Sequence, residues 1–400
     1  MPGPLSWVLR KTCLAGLIAT LAFLIYWCGR LAWADVLARA GNPAAIALAP
    51  GDADIRLQLA GRSAEALAAA AALDPGNADT RLRLGLADEM LGDFPAAERR
   101  LLEAARVSRQ YAPRWALANF YFRRGDRDRF WSWANAALRI GYGDLDPVFA
   151  LCWSLTTDAA EIRRRAIPDR APVLNAYVQF LLRTGRLAAS EPVAARLAAV
   201  ATRDDLSALS VWDNLQLDQG SPAAAVTVWN TLCHRHLLPY QPLDPDLAPL
   251  TDGDFRGASP VTGGFTWRLP RVDGAAAELD RRAACLRVEF GGNQPESCAP
   301  VLQYVPVTAG NEYWLGFEYR TTDIAPASGL AWDVLPARAG ADAFASSPWL
   351  SSEDWKRGEV CFHAPASGLV RVALTYRRLL GTARIIGSVE TRRMSLERRP

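Results

Sequence analysis

A cluster of prolines divides the sequence into two parts with different periodicity. Pro239, Pro242, Pro245 and Pro249 fall within eleven residues. Proline has no backbone N–H and holds φ near −65°, so a helix does not continue through such a stretch, and an extended connector is favoured. We therefore predict a Pro-rich linker at 239–250, between a helical part that precedes it and a β-rich part that follows.

The region before the linker repeats a helix–turn–helix pattern. In 84–105 (LGLADEMLGDFPAAERRLLEAA), small and apolar residues recur at helical spacing on both sides of a Gly-Asp turn. The turn glycine recurs at Gly92, Gly125, Gly185 and Gly220. Prolines that suit the start of a helix occur at Pro113, Pro147 and Pro172. The pattern predicts stacked helical hairpins.

These hairpins resemble the tetratricopeptide repeat, a helical hairpin of about 34 residues. The resemblance covers 43–236 and is clearest at 74–107, whereas Ser190 stands where the family has a small residue five positions after the turn glycine. It implies a right-handed solenoid that binds segments of a protein partner, and it implies no enzyme. We assign 35–238 to these repeats. Three tryptophans are expected to lie between stacked hairpins, namely Trp115, Trp131 and Trp212.

The N-terminal segment is apolar enough for a membrane helix. Residues 12–28 carry no charge, and apolar residues continue to 34 with Arg30 as the charged exception. Arg10 and Lys11 precede the run, so the positive-inside rule predicts a cytoplasmic tail at 1–11, a transmembrane helix at 12–34, and an extracytoplasmic remainder. A cleaved signal peptide is the alternative, because Ala-Trp-Ala at 32–34 has the form of a cleavage site.

Beyond the linker, short β-like runs alternate with Gly, Asn and Pro. They lie at 263–269, 285–290, 301–307, 313–321, 329–335, 358–364, 369–377 and 389–396. Runs of this length and spacing predict an antiparallel β-sandwich over 251–400. The predicted fold class is therefore multidomain: an N-terminal transmembrane helix, an all-α helical-repeat solenoid and an all-β antiparallel sandwich.

The last third resembles jelly-roll domains of the carbohydrate-binding-module type. The resemblance rests on 251–255 (TDGDF), 264–268 (GFTWR), 303–307 (QYVPV), 313–315 (YWL) and Trp355. The combination of a transmembrane helix, degenerate repeats and such a module resembles a group of bacterial envelope proteins associated with exopolysaccharide or surface-glycan systems. This resemblance implies a bacterial inner membrane for the helix and the periplasm for the remainder. The resemblance implies polysaccharide as a partner. It also implies a structural calcium in many members.

The calcium ligands are incomplete in this sequence. Asp252 and Asp254 lie in the opening segment, but the closing segment 388–393 reads SVETRR, where the resemblance calls for a pair of acids. We therefore assign no cofactor.

Alternation divides the strands into two faces. One parity is apolar and is assigned to the core: Leu286, Val288, Phe290, Leu315, Phe317, Leu330, Trp332, Val334, Val372, Leu374 and Tyr376. The other parity holds Arg287, Glu289, Trp314, Glu318, Arg320, Asp333, Arg371 and Arg377. An indole can stack on a pyranose ring, and guanidinium and carboxylate groups can hydrogen-bond vicinal hydroxyls, so this set is the candidate glycan face. A solvated sheet face with cross-strand ion pairs is the alternative.

The sequence gives little support for nucleic-acid binding, metal binding or catalysis. The net charge is only +3, so nucleic acid is not expected as a partner. The sequence has no C-x-x-C pair, Gly-rich phosphate loop or Gly-x-Ser-x-Gly elbow, and the histidines of 234–236 have no third histidine nearby. We expect no metal site and no enzyme. One disulfide among Cys285, Cys298 and Cys361, or free thiols in all three, remains open.

Together these features predict a membrane-anchored extracytoplasmic binding or scaffold protein in exopolysaccharide or envelope glycan assembly or export. The solenoid would bind a protein partner and the sandwich a glycan. The alternative is a repeat adaptor for protein–protein assembly with no sugar affinity.

Overall fold

The computed structural model describes residues 4–61, 63–244, 250–258, 260–338, 340 and 342–399. An apolar helix and a series of short helices precede two antiparallel sheets, so the predicted fold class is confirmed. The helices are α1 Pro4–Arg39, α2 Ala44–Leu48, α3 Ala53–Ala60, α4 Ala64–Leu73, α5 Ala78–Met90, α6 Phe94–Val107, α7 Tyr111–Arg124, α8 Arg127–Ile140, α9 Asp146–Leu155, α10 Ala159–Arg165, α11 Ala171–Arg183, α12 Leu187–Val200, α13 Leu206–Asp218 and α14 Pro222–His234.

The chain forms two compact units. One comprises Met1–Asp144 and Arg164–Ala166, and the other comprises Leu145–Arg163 and Ile167–Pro400. The second unit therefore contains the later helices of the repeat region together with the whole β-sandwich.

Helix α1 contains a segment, Leu14–Arg39, that is long and apolar enough to cross a membrane, with a mean hydropathy of 1.7. A signal sequence satisfies the same test. The end of the helix packs on its own unit, because Ala34 and Ala38 are buried against Ala45 of α2, Ile55 of α3 and Ala49 between these helices.

Helical hairpins form where the glycine pattern predicted them. Gly92, Gly125, Gly185 and Gly220 each take a positive φ at the end of the first helix of a pair. In the first unit, Gly85 lets α5 approach α6, since a Cβ there would lie 2.9 Å from the side chain of Leu101. Asp93 and Asp126 cap the second helices by accepting hydrogen bonds from backbone N–H groups.

Of the three tryptophans predicted to be buried, Trp131 and Trp212 lie in the helical core, and Trp115 is half-buried. In the second unit, the indole Nε1 of Trp212 donates to Ser190 Oγ over 2.7 Å. Ser190, the residue that departs from the repeat pattern, thus satisfies a buried indole that a smaller apolar residue would leave unpaired.

The sandwich has two sheets. Its strands are β1 Ala275–Asp280, β2 Cys285–Gly291, β3 Ser297–Pro306, β4 Glu312–Thr322, β5 Leu330–Pro336, β6 Ala345–Ser346, β7 Lys356–His363, β8 Leu369–Arg377 and β9 Ile386–Arg398. Five strands pair in the order β1-β2-β9-β4-β7, and four pair in the order β3-β8-β5-β6. The residues assigned to the core by alternation are all buried between the sheets.

One predicted strand is wrong. Residues 263–269 form turns and a single bridge from Arg268 to Leu302. The pattern also did not predict β1 and β6, each of which lies at one edge of its sheet. The segment is apolar because it packs on helices: Phe265 is fully buried, with its ring edge-to-face on Trp229 of α14 at 5.5 Å. A Cβ at Gly264 would lie 2.7 Å from the same indole.

The described part of the proline-rich segment also packs on α14 and is not an extended connector. Leu243 is buried, as is Leu238 immediately before the segment. The amide of Asn230 exchanges two hydrogen bonds with the backbone of Leu243, and Tyr240 stacks on Trp229. Pro245 and Pro249 lie outside the described residues.

Candidate functional site

The structure divides the eight candidate residues between the two sheets. Five of them lie on the outer face of the five-stranded sheet: Arg287, Glu289, Trp314, Glu318 and Arg320. The other three belong to the four-stranded sheet: Asp333, Arg371 and Arg377. The expectation of one continuous face is therefore wrong, because alternation separates inside from outside but does not identify the sheet that a strand joins.

The three residues of the four-stranded sheet have structural partners. Asp333 is 1% exposed, and its carboxylate accepts hydrogen bonds from Thr375 Oγ1 at 2.7 Å and from Arg377 at 3.0 Å. The Nε of Arg371 donates to the carbonyl of Pro336 at 2.8 Å. Asp333 was expected on an exposed face, and its burial removes it from any surface ligand.

On the five-stranded sheet, a β-bulge concentrates charge around Glu318. Strand β9 shifts register opposite Gly316–Glu318, and Arg393 takes φ +51°, so two consecutive arginines reach one carboxylate. Arg392 Nε donates to Glu318 over 2.8 Å and Arg393 over 2.9 Å. The hydrogen bond from Arg392, reinforced by that from Arg393, lowers the pKa of Glu318.

An indole lies beside this cluster. Trp355, just before β7, is half-buried and has the guanidinium carbons of Arg392 and Arg320 at 3.9 and 4.9 Å from its ring centroid. Arg320 also pairs with Glu390, to which its Nε donates over 2.7 Å. We call Trp355, Glu318, Arg320, Glu390 and Arg392 the sheet-face cluster.

Trp314 lies on the same face but is more covered than the sequence implied. It is half-buried, and the guanidinium carbon of Arg399 lies 4.1 Å from the ring centroid. Its Nε1 is buried and has no hydrogen-bond partner in the described part of the chain. Arg287 and Glu289, two positions apart on β2, pair with each other at 2.6 Å.

Sequence reasoning missed Trp355, Glu390, Arg392 and Arg393 as members of this face. Trp355 belongs to the residues that carry the family resemblance, and its position just before a predicted strand could have indicated that it lies beside the sheet. The two arginines interrupt the alternation of β9, which is what a bulge does, but no local feature shows which partner residue they will face.

Metal chemistry finds no donor set here. The described residues contain no group of three or more His, Cys, Asp or Glu placed to hold a metal ion. Asp252 accepts a hydrogen bond from the backbone of Gly257 at 2.7 Å, and the acid of the closing strand, Glu390, is committed to Arg320. These residues do not fit the calcium site that the resemblance implied.

The cysteines form no disulfide among the described residues. Cys285, Cys298 and Cys361 are free thiols on β2, β3 and β7, and Cys152 and Cys233 are free and buried in helices. Of the two alternatives for the last three cysteines, the structure therefore has the free thiols.

Comparisons with known proteins give weak similarities. No family model matches the sequence, and no curated protein matches it. One similar solved structure is described as "CBM4 structure and function", with a TM-score of 0.29 and 12% identity over 38% of this chain and 99% of that one. Another is the enzymatically active domain of tailspike protein 4 of bacteriophage CBA120, with a TM-score of 0.24 and 10% identity over 34% of this chain and 19% of that one. TM-scores this low carry no argument about function.

Proposed function

We propose that this protein is a membrane-anchored extracytoplasmic binding and scaffold protein, and that its sandwich binds glycan through the sheet-face cluster. The observation that carries the proposal is the half-buried indole of Trp355, set among two guanidiniums and two carboxylates on one sheet face. An aromatic plane can receive the apolar face of a sugar ring, while the ionised groups supply donors and acceptors for hydroxyls. The role is binding rather than catalysis.

The helices of the first unit are the proposed protein-binding part, in the manner of tetratricopeptide repeats. A groove of about 490 Å³ is lined by Leu67, Leu86, Met90, Arg83 and Arg123, among others. Met90 and Leu91 are 69% and 75% exposed. Exposed apolar side chains rimmed by charge are typical of surfaces that bind peptide segments.

The proposed location is a bacterial inner membrane, with the N-terminus in the cytoplasm and the bulk of the chain in the periplasm, in a system that assembles or exports exopolysaccharide. The apolar segment Leu14–Arg39 supports an anchor. We predict that alkaline phosphatase fused after the last residue is active, and that the protein stays in the membrane after a carbonate wash. A soluble mature product that begins near Asp35 would show that α1 is a signal sequence.

Glycan binding is tested on an array of bacterial surface polysaccharides with the full chain in detergent. Trp355→Ala should abolish or strongly reduce binding. Trp349→Ala is the matched control, because Trp349 is 47% exposed and lies outside the sheet-face cluster. Equal binding by the two variants would refute the site.

The adaptor without sugar affinity is favoured by one observation. The charges of the face satisfy one another, as in the pairs Glu318–Arg392, Arg320–Glu390 and Arg287–Glu289. A ligand would have to compete with these bonds. If the wild-type chain binds no glycan while the helical unit still retains a partner in cross-linking, the adaptor is the correct function.

A further inference from the structure

A second cavity lies within the Leu145–Pro400 unit, where α13 meets the sandwich. It has a volume of about 710 Å³, within the usual range of ligand sites. Its polar and aromatic lining includes Asn214, Asp218, Trp267, Arg268 and Tyr304. A smaller hollow of about 400 Å³ continues along α13 and shares Asn214, Val261 and Thr262 with it. We call the two together the junction cleft.

Arg268 is the central polar group of the junction cleft. Its guanidinium carbon lies 4.4 Å from the ring centroid of Tyr304, and it donates to Asn214 Oδ1 over 2.6 Å. It also lies 3.6 Å from Asp218, which accepts a hydrogen bond from the Tyr304 hydroxyl at 2.8 Å. The Arg268 Nε is buried and has no hydrogen-bond partner among the residues that the structure describes. The network thus holds the guanidinium in place at the wall of the cleft.

The charge of the cleft is balanced. Asp213, near Arg268, does not line the cleft: it is 1% exposed, and burial raises its pKa well above the ordinary value. The lining itself holds two arginines, Arg268 and Arg281, and two aspartates, Asp218 and Asp252. An anionic ligand would meet two carboxylates, and a cationic ligand would meet two guanidiniums.

An uncharged, polyhydroxylated ligand fits this lining better than either ion. Its hydroxyls can donate to carboxylates and accept from guanidinium and amide N–H groups, and charge-assisted hydrogen bonds of this kind are the strong ones. The half-buried side chains of Leu279 and Leu302 offer apolar surface to the C–H faces of sugar rings, whereas Trp267 and Tyr304 line the cleft but are only 6% and 5% exposed. The extension along α13 suits a linear ligand of several rings.

We propose that the junction cleft binds a short, uncharged oligosaccharide. The site is separate from the sheet-face cluster, and the inference does not depend on glycan binding there. Because α13 and the sandwich both line the cleft, a bound ligand contacts both and stabilises their packing through ligand linkage.

The test uses the full chain in detergent, calorimetry, and four tetrasaccharides: cello-, malto- and chitotetraose as neutral probes and tetragalacturonate as the acidic one. At least one neutral probe should bind the wild type. Thr262→Trp, at an exposed position shared by both hollows, should abolish that binding by filling the cleft. Asp218→Asn keeps the side-chain shape and should weaken it about tenfold, the usual effect of losing a charged acceptor.

The matched control is Arg378→Ala. Like Arg268, Arg378 is a partly buried, ion-paired arginine of the sandwich, with its side chain 30% exposed and paired to Glu296. The control should bind the neutral probe as the wild type does, and circular dichroism melts of all variants establish that each is folded.

The outcomes separate this inference from the proposed function. Loss of neutral-probe binding in Thr262→Trp, with binding retained in Trp355→Ala, supports the junction cleft. Loss in Trp355→Ala with full binding in Thr262→Trp overturns the junction cleft and leaves the sheet-face cluster intact. Binding of no neutral probe, or of tetragalacturonate alone, also overturns the proposal.

Discussion

The packing of residues 263–269 on α14 predicts that the last helices and the sandwich unfold as one. The perturbation is Phe265→Ala. Phe265 belongs to the sandwich segment by sequence, but its ring is fully buried on Trp229, which is itself only 1% exposed. Truncation removes a large buried ring and leaves a cavity between a helix and a β-domain.

The expected cost is about 3–5 kcal/mol, the range for Phe→Ala in a core that collapses only in part. The edge-to-face aromatic pair accounts for about 0.5–1.5 kcal/mol of it. A loss of 3 kcal/mol alone raises the open population by about a hundredfold. Phe344→Ala is the control, because Phe344 is 45% exposed and its truncation should change stability by less than about 0.5 kcal/mol.

The assay is native-state hydrogen exchange of the full chain in detergent, with separate peptides that report α13–α14 and β3–β8. In Phe265→Ala, amides of both groups should exchange faster by the same factor. The reasoning is refuted if the strands lose protection while α14 keeps that of the wild type, because the sandwich would then be an independent module attached by a linker.

Three further results are expected. In a urea melt, Trp332→Ala, at a fully buried position, should lower the free energy of unfolding by about 3–5 kcal/mol. Trp314→Ala loses mainly the contact with Arg399 and should lower it by about 1 kcal/mol, and the reverse order would mean that the sheet faces are inverted. Because the pKa of Glu318 is lowered in the folded state, its contribution to stability is present at neutral pH and disappears as the pH falls through that lowered pKa. Arg392→Gln should raise the Glu318 pKa in a carboxyl NMR titration, and an unchanged pKa would contradict the role of the bulge. Because burial raises the pKa of Asp213 in the folded state, this residue destabilises the fold increasingly as the pH rises above its unfolded pKa of about 3.9. Asp213→Asn should therefore be more stable than the wild type at pH 7 and equal to it near pH 3, and equal stability at both pH values would contradict the burial argument.

The local sequence pattern was sufficient to predict the helix-hairpin turns and the core-facing residues of the regular strands. The hairpin glycines take positive φ where the repeat placed them, and the alternation of β2, β4, β5 and β8 identified the residues that fill the sandwich core. In both cases a short stretch of sequence decides which side of an element is apolar, and that side is buried whatever the partner.

Tertiary structure decided everything that depends on the partner. Alternation could not assign Asp333 and Glu318 to different sheets, because register and sheet order arise from pairings between strands distant in sequence. The bulge that brings Arg392 and Arg393 to Glu318 exists only in the pairing of β9 with β4. Residues 263–269 resemble a strand in sequence because they are apolar and aromatic, yet they bury that surface on α14. A hydrophobic pattern indicates which residues become buried but not which element they pack against.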